Sequence, residues 1–60
     1  MEPYAYLQQV AARLDSLRSA REINPVLDEL EFLYEALDPE LQDLATDLIA
    51  TLTKRLNRAS

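Results

Sequence analysis

The sequence predicts an all-α fold, a small three-helix bundle, and three observations lead there. Apolar residues recur three and four positions apart in three separate stretches. Each stretch opens on a proline that follows a polar residue: Glu2-Pro3, Asn24-Pro25 and Asp38-Pro39. Glycine is absent from all 60 residues, which leaves nothing to build flexible linkers or relaxed left-handed turns. Proline suits the first helical position, because its fixed φ fits and its missing N–H had no intrahelical partner there. The prolines therefore read as three starts. They give helices over 3–20, 25–37 and 39–58 in a single domain spanning 1–60.

In the first helix, Leu7, Val10, Ala11, Leu14 and Leu17 form the apolar stripe, within a sector of about 120°. Tyr4 and Tyr6 lie at its margins, where an aromatic body can cover apolar surface and keep its hydroxyl in water. The next segment holds Ser19 and Glu22 at capping-box spacing, which taken literally would start a helix at Ala20. Pro25 would then fall inside that helix, and the residue before a proline is pushed out of the α region. Residues 19–24 are accordingly expected to form a connection, with Ile23 anchoring it to the core and Asn24 capping the second helix.

The second helix carries Val26, Leu27, Leu30, Leu33, Tyr34 and Leu37 on one broad face. Phe32 falls about 200° from Leu30 on the same wheel, with Ala36 about 40° further round. Asp28, Glu29 and Glu35 surround them. Early acids suit the positive end of the helix dipole, which accounts for Asp28 and Glu29 but for neither Glu35 nor Phe32. Only Asp38 separates Leu37 from Pro39, so a sharp proline corner is expected between the second and third helices, in preference to one kinked rod. The third helix has its seam at Leu41, Leu44, Ala45, Leu48, Leu52, Leu56 and Ala59, with Ile49 at the margin. Acids lead it (Glu40, Asp43, Asp47) and bases trail it (Lys54, Arg55, Arg58), the order its dipole favours.

Composition narrows the function classes. There is no histidine and no cysteine, so the commonest general base, the thiolate nucleophile and the usual transition-metal ligands are missing. A calcium loop of the helix–loop–helix type needs a glycine at its turn, and the chain has none. No enzyme, cofactor, metal or small-molecule substrate is expected. The net charge of −5 hides a segregation: nine acids lie between Glu22 and Asp47 with no base among them. A mostly acidic surface argues against direct nucleic-acid binding. The longest apolar runs fall far short of a membrane span, and no secretory leader pattern opens the chain, so a cytoplasmic protein away from membranes is expected. Arg55 falls near the apolar seam, where its stem should cover core while its head reaches water.

The expected function is that of a non-enzymatic protein–protein interaction or assembly module. The chain is small enough to bury a second apolar face by association, so its expected partner is another protein or itself, as a homodimer formed through the second helix. Phe32 and Ala36 would supply apolar anchors, with Asp28, Glu29 and Glu35 steering the partner. Phe32 would instead be core if the short middle helix were sandwiched between its neighbours, or a tolerated lone surface aromatic. The alternative function is that of a small acidic inhibitor or decoy, of the kind phages make, filling the basic groove of a nucleic-acid-binding protein. No motif in the chain is specific enough to point to a family.

Overall fold

The computed structural model describes residues 2–59; the Ala59 side chain, which the sequence places on the seam, lies outside the described set. Three α-helices and one short 3-10 turn make up the chain: α1 (Pro3–Ala12), the turn (Leu14–Ser16), α2 (Ala20–Tyr34) and α3 (Pro39–Ala59). The all-α three-helix bundle expected from the sequence is what forms. α3 lies along both other helices and packs most extensively on α2. The molecule is 32 Å long and 16 × 15 Å across, its length set by the 21 residues of α3 at about 1.5 Å each.

The core is entirely apolar: Leu7 and Val10 from α1, Leu17, Ile23 and Leu30 on the way through α2, Leu37 from the corner, and Ala45, Leu48 and Leu52 from α3. Leu14, Val26, Leu27, Tyr34, Leu41, Leu44, Ile49 and Leu56 pack around it half-buried. Among the described residues none is a buried polar or charged side chain. No described residue has a positive φ, so every turn is made without a left-handed position.

α1 is shorter than expected. It stops at Ala12 rather than near position 20, and Leu14 and Leu17 reach the core through the 3-10 turn instead. Ala11, expected on the stripe, is exposed. The physical reason lies in α3. The Arg55 guanidinium donates to the carbonyls of Leu14 and Leu17, at 3.2 Å for the latter, so these backbone acceptors are satisfied outside any helix. Ser16 Oγ donates to the Arg13 carbonyl at 2.7 Å and Arg18 Nε to the Asp15 carbonyl at 2.9 Å, which diverts further groups from the helical ladder. Arg55 thus has its stem in the bundle and its head on backbone, not in open water as its position on the seam suggests.

α2 starts five residues before its expected first residue. Ser19 is its N-cap, with Oγ accepting from the Glu22 N–H at 3.3 Å and the Glu22 carboxylate accepting from the Ser19 N–H at 3.2 Å. The capping box is therefore real, Pro25 lies inside the helix, and Asn24 is an exposed helical residue rather than a cap. Proline in a helix interior costs roughly 3 kcal/mol. Against this stand a cap worth about 1 kcal/mol and the backbone bonds of the added turn, with the Glu22 and Ile23 N–H groups both donating to the Ser19 carbonyl, at about 0.5–1.5 kcal/mol each. The balance favours the longer helix. The carbonyl deprived of its partner is that of Arg21, an exposed residue.

Ser19→Ala should therefore destabilise the fold by about 1 kcal/mol, measurable by urea denaturation. The Glu22 carboxylate is held below its ordinary pKa, first by the Ser19 hydroxyl and then by the Ser19 and Arg18 N–H groups. A lowered carboxylate pKa adds stability that is full above the unfolded-state value, near ~4.3 for glutamate, and fades as pH falls through the folded value. Ser19→Ala should accordingly flatten part of the acid limb of the stability–pH curve.

The corner between α2 and α3 is tight. Ala36 and Leu37 donate their N–H groups to Leu33 and Tyr34, closing α2 with three-residue steps rather than a left-handed cap. α3 then begins at Pro39, with the Asp38 carbonyl accepting from Leu41 and Gln42 at 2.9 Å each. Gln42 Nε2 reaches back to the Tyr34 carbonyl at 3.1 Å, clipping α3 to the end of α2. The helical run is interrupted at 35–38, so α2 and α3 are two helices and not one kinked rod. The second helix ends at Tyr34 rather than 37 because Leu37 turns inward to the core, 6 % exposed.

Candidate interaction surface

Phe32 stands out on the surface of α2. It is 80 % exposed, while Leu30, two residues earlier and about 160° round the same helix, is completely buried. Within this chain Phe32 is not sandwiched core. Asp28 and Glu35 are exposed on either side of it along the helix, and Ala36 is exposed in the turn that follows. Glu29 points elsewhere: it is half-buried and near enough to α1 to raise the Tyr6 phenol pKa, adding to the larger effect of burial. Of the five residues singled out in the sequence, four lie together on the outward side and the fifth borders α1.

The longer α2 adds residues that sequence reasoning missed. Starting the helix at Ala20 carries Arg21 round to within about 20° of Phe32, and Pro25 to a similar angle on the other side. Asn24 also faces outward, and all three are exposed. The outward face of α2 thus runs from a base at its N-terminal end to an aromatic ring and a carboxylate at its C-terminal end. The signal that could have found Arg21 was the Ser19-x-x-Glu22 spacing.

A shallow open groove of about 370 Å³ lies between α2 and α3, lined by Glu31, Tyr34, Glu35, Thr46 and Ile49. Of its lining, Tyr34 and Ile49 are half-buried, and Glu31, Glu35 and Thr46 are exposed. A smaller basic hollow of about 160 Å³ lies among Thr51, Lys54, Arg55 and Arg58 at the far end of α3. Among the described residues, Glu22 is the one member of the nine-acid stretch whose carboxylate takes hydrogen bonds from other groups. No three potential metal ligands come together among the described residues, and no helix is long and apolar enough to cross a membrane.

Fold and surface together define a small all-α bundle with one apolar ring displayed on a charged helix face. Comparison with known proteins adds no family: no family model matches the chain, and neither a curated protein nor a solved structure matches it.

Proposed function

We propose that this protein is a non-enzymatic, cytoplasmic interaction module that self-associates through the outward face of α2. Its main support is the exposure of Phe32, the most exposed large apolar side chain described, on a helix whose other face already fills the core. Aromatic side chains are enriched as interface anchors, with polar groups kept to the rim around them, where charges steer orientation. Phe32→Ala should shift a concentration-dependent monomer–dimer equilibrium toward monomer while helicity stays unchanged. Sedimentation equilibrium from micromolar to millimolar chain, with circular dichroism alongside, checks it. A wild-type chain that is fully helical and strictly monomeric over that range defeats the proposal.

The charge distribution supports a second reading, an acidic inhibitor or decoy for a basic groove. Eight of the nine clustered acids are exposed, Glu29 alone being half-buried, and together they present a surface suited to a basic protein. That reading requires binding that weakens steeply with salt and is lost on reversing Glu29, Glu31 and Glu35 together. Partner binding insensitive to salt points back to the apolar face.

A further inference from the structure

We propose that the basic hollow at the far end of α3 binds a short phosphate chain, a diphosphate or triphosphate. Thr51, Lys54, Arg55 and Arg58 line it, and no carboxylate joins them. Their offsets of three, four and seven residues put all four on one face of the helix. The hollow, at about 160 Å³, is about five times the ~30 Å³ share of one water in the liquid, room for an ion rather than for solvent alone. The site lies away from Phe32 and does not depend on self-association.

The strongest element is Arg55. Its Nη1 donates to the carbonyls of both Leu14 and Leu17, so the guanidinium is held in place before a ligand arrives and loses little rotamer freedom on binding. With Nη1 committed to backbone, the donors left to it are Nε and Nη2, the edge that takes an oxyanion in two parallel bonds. Lys54 and Arg58 are exposed and supply charge from either side, and the Thr51 hydroxyl is a further donor. The bonds from Arg55 also bring the end of α3 against the segment before α2. All six bases of the chain (Arg13, Arg18, Arg21, Lys54, Arg55 and Arg58) thereby gather toward one end of the 32 Å molecule, with Asp15 and Glu22 the acids of the same segment. The dipole of α3 accounts for bases near its own C-terminus. It does not account for Arg21, which stands in the first turn of α2, where the dipole favours an acid.

The length of the ligand follows from the same spacing. Thr51 and Arg58 are about 10 Å apart along the axis, more than a single phosphate group bridges. Asp47 stands about 10 Å before Lys54 on the same side of α3, so a long polyanion laid along the helix would run onto acids. At physiological salt, charges separate electrostatically over about 8 Å, which leaves the acids of the α2–α3 corner without influence on an ion in the hollow. A compact anion is therefore accepted where a nucleic-acid duplex is refused.

Calorimetric titration of the full chain with sodium tripolyphosphate, pyrophosphate and monophosphate at physiological salt tests this. Tripolyphosphate and pyrophosphate should bind more tightly than monophosphate. Lys54→Gln and Arg58→Gln should each weaken tripolyphosphate binding about 10-fold, the size of one charge-assisted contact, with circular dichroism unchanged. Arg21→Gln removes the same charge from an exposed position outside the hollow and should leave binding unaltered. Three results would each overturn the site: no heat from tripolyphosphate at millimolar concentration, equal weakening by all three substitutions, or tighter binding of a DNA duplex than of tripolyphosphate.

Discussion

Replacing Arg55 with methionine is expected to lower the unfolding free energy by about 2 kcal/mol. Methionine keeps a flexible apolar stem in the half-buried position and removes only the guanidinium. Two part-buried carbonyls, those of Leu14 and Leu17, then lose their donor. Unsatisfied buried acceptors cost roughly 1–3 kcal/mol each, and partial access of water puts these at the low end. A chain of 60 residues has only about 3–9 kcal/mol to lose, at 0.05–0.15 per residue. The midpoint of thermal unfolding should fall by about 8–16 °C, at 4–8 °C per kcal/mol for a domain this small. Arg58→Met removes the same charge from an exposed position on the same helix and should change stability by less than about 0.5 kcal/mol. Equal effects from the two variants would show that Arg55 acts through net charge and not by holding the Leu14 and Leu17 carbonyls.

The second large effect is a contrast between neighbours on α2. Leu30→Ala should cost about 3–4 kcal/mol, because a fully buried leucine is replaced by a methyl group in a core that can close over the cavity only in part. Phe32→Ala, two residues on, should leave the monomer's stability within about 0.5 kcal/mol. Alanine also has the higher helix propensity, which works in favour of the substituted chain. Urea titration at micromolar concentration, where association is negligible, separates the two. A loss of several kcal/mol from Phe32→Ala would show that the ring is packed in the monomer and would remove the basis for docking on this face.

The fold class was legible because three apolar stripes with helical period survive almost intact into the core: Leu7 and Val10, Leu30, then Ala45, Leu48 and Leu52. Two of the three prolines begin helices as their chemistry dictates. The third misled, because the local penalty at Pro25 is outweighed by a reciprocal cap at Ser19 and Glu22 together with the backbone bonds of the turn it opens. A local rule lost to a tertiary one. The early end of α1 was not legible at all, since it depends on a side chain 38 to 41 residues away reaching over to bind backbone. On the candidate face, Phe32 could be found by its misfit with the apolar period, whereas Arg21 became visible only once the helix was known to begin at Ala20.

No described residue occupies a positive φ, and the sequence holds no glycine. Every described non-proline site can therefore take a methyl side chain without twisting its peptide planes into forbidden territory. Systematic truncation across the surface would then report lost contacts and helix propensity alone, free of the conformational penalties that blur such maps in loop-rich domains. For so small a bundle, that makes the footprint of any binding partner directly readable, one side chain at a time.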